Sequence, residues 1–412
     1  MPKIYLIDVT NRDGVQTAKL GLSKLEKTLI NIYLNQMGVF QSEFGFPTTR
    51  HESLYLQANL ELADMGVLSP IRLGGWIRAI AGDVETTFKL VPEMRHLNLS
   101  ISTSSQMIDG KFRGRKTKDD IIGDMVEAVD AARSLGAETI GVNAEDASRT
   151  DFDFLVKFGL AAAEHGADRF RYCDTLGYEN PFTIYETIRA LAEKIGIPIE
   201  IHCHGDLGLA VANSIAGAKG AIDGGQHAYI NTTINGIGER AGNADLVAII
   251  LAATKSKGFA EKYRLAGSVK LTGATKIAEF ASYAFGVPIP INQPGVGANA
   301  LAHASGIHAD GVLKDPENYE LYSFRELGRG KPKFVETGTE IIAGEYSGIS
   351  GFSHIMGKME IAFTDENEAR EILELTRYAN VESQRPLVGD ELLFIAKYPK
   401  IAKKLLTLVP LE

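Results

Sequence analysis

Short β-prone runs alternate with amphipathic helical stretches through the first two-thirds of the chain, and this alternation limits the fold most. Residues 3–8 (KIYLID), 38–44 (GVFQSEF), 71–75 (IRLGG), 97–102 (LNLSIS), 138–143 (ETIGVN), 169–173 (RFRYC), 198–202 (PIEIH) and 227–231 (HAYIN) read as eight strands. Between them lie segments such as TKDDIIGDMVEAVDAARSLGA and PFTIYETIRALAEKIG. The second ends in Gly196 before Pro198, a helix stop followed by a strand start. Eight strand–helix units in about 260 residues predict an α/β fold, a (β/α)8 TIM barrel. An open doubly wound sheet is the alternative, but no GxGxxG follows the first strand.

After about residue 270 the alternation stops. PIPINQPGVGANALAHASGIHADGVLKDPENYE is rich in Gly, Pro and Asn, and ENEAREILELTRYAN near the end has helical spacing. We divide the chain into a barrel (1–270), a linker subdomain (271–334) and a smaller, mostly helical C-terminal region (335–412). The net charge of -9 offers no basic field for nucleic acid or an acidic membrane. Two cysteines, Cys173 and Cys203, do not make a disulfide framework. No apolar run approaches the roughly 20 residues of a membrane span, and MPKIYLIDVT lacks the apolar core of a signal peptide. A soluble cytoplasmic protein is expected.

In a barrel, functional groups gather where strands end. Strand 1 runs into Arg12, Asp13 and Gln16; strand 3 into Trp76 and Arg78; strand 5 into Glu145, Asp146 and Arg149; strand 6 into Asp174 and Thr175. Strand 7 ends in HCHGD. Alternate strand residues share a face, so His202 and His204 point one way and Cys203 the other. Facing the barrel mouth, the two imidazoles can share a metal with Asp13 from the same rim. Two histidines and one carboxylate leave positions open for a chelating substrate. A bare HxH is more often a rim pair; Asp13 on the same rim reverses that balance.

GIGERAGNADL (236–246) follows strand 8, and its glycines let the backbone approach a ligand. In ASGIHADGVLKDPENYE (304–320), His308 and Tyr319 form a candidate acid–base pair; taken alone, that stretch reads as an ordinary linker. Cys173 is read as a small buried side chain rather than a nucleophile, because no dedicated base is evident.

Together, RDGVQ, HCHGDLGLAVANS, NGIGERAGNADL and GIHADGVLKDPENYE, in this order, resemble the signatures of the metal-dependent Claisen-condensing synthases, which make isopropylmalate, homocitrate and citrate. The resemblance covers most of the chain. It implies that Asp13, His202 and His204 bind a divalent metal, Mn or Mg, with Asn243 near it. It implies that Arg12 polarises the keto oxygen of a 2-oxo acid and Thr175 meets its carboxylate. Gln16, Arg78 and Arg149 are further substrate-binding candidates. Glu145 and the His308–Tyr319 pair are implied to deprotonate the methyl of acetyl-CoA, the co-substrate. A homodimer is implied too, with the post-barrel segment of one chain completing its neighbour's site.

Three positions depart from the family pattern: Val15 where RDGEQ is frequent, Gly205 in place of the Asn of HxHND, and Met107 at the histidine of SxxH. DVTNRDGVQT and QSEFGFPTTRHE are most similar to Re-citrate synthases, which use oxaloacetate. The last region also looks too short for the leucine-sensing domain of full-length isopropylmalate synthases. A dicarboxylic 2-oxo acid needs a second cationic anchor, for which Arg50, His51, Arg72 and Arg78 are candidates. A lyase of the hydroxymethylglutaryl-CoA type shares the RDG–Q and HxH motifs but carries a cysteine after strand 8, where this chain reads GIGERAGN. A metabolite sensor on the same barrel would have lost ligands or base, and Asp13, His202, His204, Glu145 and His308 are all present.

Overall fold

The computed structural model describes residues 2–330 and 349–408. Eight parallel strands, β1 (Ile4–Asp8), β2 (Gln41–Gly45), β3 (Arg72–Arg78), β4 (His96–Ser102), β5 (Thr139–Glu145), β6 (Arg169–Asp174), β7 (Ile199–Cys203) and β8 (Ala228–Thr232), close into a barrel in sequence order. Closure is made by β1 against β8, with Ile4 opposite Ala228 and Asp8 opposite Thr232. All eight expected strands are present. β3 and β5 run further than expected, which carries Arg78 and Glu145 to strand ends.

The barrel helices are α1 (Lys24–Met37), α2 (Ser53–Asp64), α3 (Ala81–Leu90), α4 (Ser105–Phe112), α5 (Lys118–Ser134), α6 (Phe152–Glu164), α7 (Pro181–Ile195), α8 (Ala210–Asp223) and α9 (Leu246–Lys255). Local chemistry sets their ends. Ser23 and Glu26 form a reciprocal capping box on α1. Asn180 caps α7 ahead of Pro181, and Gly196 ends it with φ 77°. Strand side chains such as Leu99, Val142, Phe170 and Ile201 pack into the main hydrophobic core with helix residues such as Val129, Phe158 and Ile188. The alternate strand faces carry polar groups into the barrel interior.

Beyond the barrel come α10 (Ala274–Phe285), α11 (Gly306–Lys314), α12 (Ile349–Lys358), α13 (Glu366–Ser383), α14 (Gly389–Lys397) and α15 (Pro399–Leu405). The boundary expected at 334/335 lies outside the described residues. α10 buries Ala274, Ile277, Ala278, Ala281 and Phe285 and continues the helical layer beside α1. The last helices are tied to α1 by Arg385, which pairs with Glu26 at 2.5 Å and Glu391 at 2.8 Å. No helix among the described residues is long and apolar enough to cross a membrane.

Candidate active site

Asp13, from the turn after β1, meets His202 and His204 from the end of β7, and all three are buried. Asp13 Oδ2 lies 3.4 Å from His202 Nε2 and 3.8 Å from His204 Nε2, and the two imidazole nitrogens are 3.2 Å apart. Ligands bonded to one ion at about 2.0–2.2 Å sit roughly 3–4 Å from each other, so this spacing fits a shared cation. The groups present suit that role. Burial alone would raise the Asp13 carboxyl, but Arg12 and His202 outweigh it and hold the group well below the carboxylate range. Burial, then the neighbouring His202, pushes His204 down to about 3, leaving it neutral and able to ligate. Asn243 Nδ2 donates to Asp13 Oδ2 at 2.9 Å, while its buried Oδ1 has no hydrogen-bond partner among the described residues.

Two glycines shape the loop that delivers Asn243. A Cβ on Gly238 would lie 1.8 Å from Asn243 Oδ1, and one on Gly242 (φ 83°) would lie 2.0 Å from the Gly236 carbonyl oxygen. This backbone must be bare to wrap so closely. Gly205 donates its N–H to the Gly242 carbonyl at 2.8 Å, joining the β7 and β8 ends.

Beneath the rim, charged groups fill the barrel interior and hold the site from below. His202 Nδ1 lies 3.0 Å from Asn231 Oδ1, and Asn231 Nδ2 donates to Glu200 Oε1 at 2.7 Å. The amide oxygen must accept, so Nδ1 carries the hydrogen and Nε2 keeps its lone pair toward the cluster. Arg12 Nε donates to Glu43 Oε2 at 2.6 Å, and Arg12 Nη1 lies 3.1 Å from Asp13 Oδ1. Arg171 pairs with both Glu43 (2.7 Å) and Glu200 (2.5 Å). Burial opposes ionisation of Glu43, but Arg12 and Arg171 outweigh it and pull its carboxyl down to about 2.

A cavity of about 170 Å³ opens at this mouth, lined by the cluster and by Arg12, Gln16, Glu145 and Thr175. Among the other expected residues, Asn243 touches Asp13 directly. Lys111 from α4 donates to both Glu145 oxygens at 2.7 Å, and Ser102 Oγ also donates to Glu145. Thr175 Oγ1 accepts from the Asp146 backbone N–H at 2.9 Å. Arg149 is turned onto Asp146, and Arg78 forms a two-point pair with Asp83 with its side chain 67% exposed; neither lines this cavity. His308 and Tyr319 are brought together, their rings stacked at 4.2 Å, but on the exposed post-barrel segment away from the cavity lining.

The departures from the family pattern have places. Val15 is partly buried against the core, and Met107 lies in the first turn of α4, whose N-cap is Ser104. Cys173 lines the cavity, buried, and burial pushes its thiol well up. Sequence reasoning missed Lys111, Glu43, Arg171, Glu200 and Asn231. For the four strand residues the signal was a polar residue at every second strand position, as in Glu200 with His202 and Arg169 with Arg171; Lys111, on α4, carried none.

Comparison with known proteins decides the family. The HMGL-like family pattern matches residues 3–280, well over half of the chain. The chain belongs to the HMGL-like family. Behind this HMGL-like barrel, residues 296–383 match the homocitrate synthase post-HMGL domain-like family. The HMGL-like chain is 70% identical to the citrate (Re)-synthase of Dehalococcoides mccartyi, over 100% of this chain and 99% of that protein. It is 35% identical to the 2-isopropylmalate synthase 2 of Caldanaerobacter subterraneus, over 95% of this chain and 94% of that one. A hydroxymethylglutaryl-CoA lyase from Pseudomonas aeruginosa shares the fold, with TM-score 0.55, 15% identity and coverage of 70% of this chain and 95% of that one.

Proposed function

We propose that this HMGL-like protein is a citrate (Re)-synthase, which condenses acetyl-CoA with oxaloacetate and releases citrate and free CoA. The observation that carries this reading is the 70% identity, end to end, with a relative of that name. Asp13, His202 and His204 would hold a divalent cation, with Asn243 beside it. A carboxylate among the ligands suits a hard ion, manganese or magnesium. When bound, such a cation supplies Lewis-acid polarisation of a 2-oxo group.

The chain's own residues do the rest. Arg12, fixed by Glu43, donates a hydrogen bond to the keto oxygen, where negative charge develops. The Thr175 hydroxyl meets the substrate's 1-carboxylate. Glu145, held by Lys111 and Ser102, takes a proton from the acetyl methyl, with His308 and Tyr319 assisting. The enolate attacks the keto carbon, and water then hydrolyses the thioester.

The post-barrel segment supports a homodimer. α11 buries none of its residues, and Ile307 and Leu313 on it are 75% and 87% exposed. We place α11, with His308 and Tyr319, over the mouth of a second copy. Residues 1–270 then form the catalytic barrel, 271–334 supply groups to the neighbour and 335–412 support both.

The match of residues 296–383 to a homocitrate synthase domain favours a second reading, condensation with 2-oxoglutarate. Incubation with labelled acetyl-CoA and a panel of oxaloacetate, 2-oxoglutarate, 2-oxoisovalerate and pyruvate separates the two. Labelled citrate with oxaloacetate, carrying the label expected for attack on the Re face, is the predicted product. Preference for 2-oxoglutarate would transfer the protein to the second reading.

A further inference from the structure

The interior end of the cavity is built differently from its metal-facing side. Ser100 of β4, Asn143 of β5, Arg171 of β6 and Trp76 of β3 line it. Arg171 is 1% exposed, and its Nε and Nη2 are taken by Glu200 and Glu43 at 2.5–2.7 Å. Nη1 is bound more loosely, 3.4 Å from Glu43 Oε2. With its amide turned so that the oxygen accepts, Asn143 lies 3.2 Å from Arg171 Nη1 and 3.3 Å from Trp76 Nε1. The cavity therefore ends on a guanidinium edge whose outer nitrogen, Nη1, makes only long contacts, 3.4 Å to Glu43 and 3.2 Å to Asn143.

Charge counting points the same way. Arg12, Arg169 and Arg171 face Asp13, Glu43 and Glu200 in one buried network. Three positive and three negative groups cancel, so a divalent cation would leave this network at a charge of plus two. Uncompensated charge in a dry interior is costly, and a dianion offsets it where a monoanion does not. Arg50, His51, Arg72 and Arg78, the expected anchors for a second carboxylate, do not line this cavity; Arg78 pairs with Asp83, and Arg72 lies over the Phe40 ring at 4.8 Å.

We infer that Arg171 Nη1, with Asn143 and Ser100, forms a subsite for the second carboxylate of a dicarboxylic 2-oxo acid. This rests on the proposed synthase reading for the position of the substrate's reacting end. Arg171 and Asn143 act as specificity residues, and Trp76 closes the side of the subsite. Nη1 can give the carboxylate a charge-assisted hydrogen bond in place of its long contact to Glu43.

Replacing Arg171 would strand Glu43 and Glu200, so the test uses its neighbours. The Mn-loaded enzyme is titrated, without acetyl-CoA, with malate and lactate, two hydroxy acids that differ in the second carboxylate. Wild type should prefer malate by about tenfold or more, and Asn143→Leu should erase most of that preference while Mn affinity stays near wild type. Ser100→Ala, a smaller change, should lower it partly. No preference in wild type, or equal weakening of both ligands by Asn143→Leu, would overturn the subsite. So would loss of the preference in Lys111→Met instead, which would move the anchor to the rim. Thiol release from acetyl-CoA is scored separately. If it fails while the malate preference and its loss in Asn143→Leu persist, the subsite stands and the synthase reading falls.

Discussion

Asn231 never reaches the proposed ion, yet it decides which nitrogen of His202 is free. Its oxygen accepts from Nδ1 and its amide is pinned by Glu200. Asn231→Ala should therefore lower Mn affinity by about 10- to 100-fold, read by calorimetry on the apo protein. Unchanged affinity would mean that the tautomer is fixed by something else. Lys111 has a parallel role for Glu145. Lys111→Met frees the carboxylate from its two 2.7 Å contacts. It should lower kcat by on the order of 10- to 100-fold and leave the KM for oxaloacetate near wild type. A change in KM alone would assign Lys111 to substrate binding instead. His202 and His204 were legible as a pair because the period of a strand puts alternate residues on one face, and Asp13 as their candidate partner because it follows a strand that ends on the same rim. Lys111 and Asn231 were not, since nothing local says which carboxylate or imidazole they will meet.

The eight strands were legible as elements because each is a short apolar run closed by a turn signal. What they do inside the barrel was not. Glu43 and Arg171 are 128 residues apart, and only closure of the barrel brings β2 opposite β6. Their pairing makes the barrel acid-sensitive. The Glu43 carboxyl is depressed in the folded state to about 2, so its contribution is fully present above its ordinary value near 4.5 and is lost as pH falls toward 2. Glu43→Gln should melt lower at neutral pH and fall less steeply over that acid range in thermal unfolding. An unaltered acid slope would show that the network does not govern it. Among the outer helices, Arg385→Ala would leave Glu26 and the buried Glu391 without their shared cation. A loss of about 3 kcal/mol in urea unfolding is expected, with earlier proteolysis between α12 and α15. The helical spacing of ENEAREILELTRYAN was visible, but the anchor that follows it joins residues 359 apart.

At the scale of the whole molecule, the proposed function calls for a crossed dimer. His308 and Tyr319 lie off the cavity of their own barrel, so a dimer whose segments cross can be tested by complementation. Asp13→Asn and His308→Ala should each be nearly inactive alone. Mixed and allowed to exchange, they should recover about a quarter of wild-type activity, because half the dimers then hold one intact site. No recovery from exchanged dimers would place His308 at its own barrel. The central claim is acetyl transfer at a metal-holding barrel mouth. Its most direct test is release of free thiol from acetyl-CoA with oxaloacetate, measured before chelation, after chelation, and after manganese or magnesium is restored. The account predicts turnover, its loss on chelation and its return with metal. No thiol release from protein shown to bind manganese would contradict it.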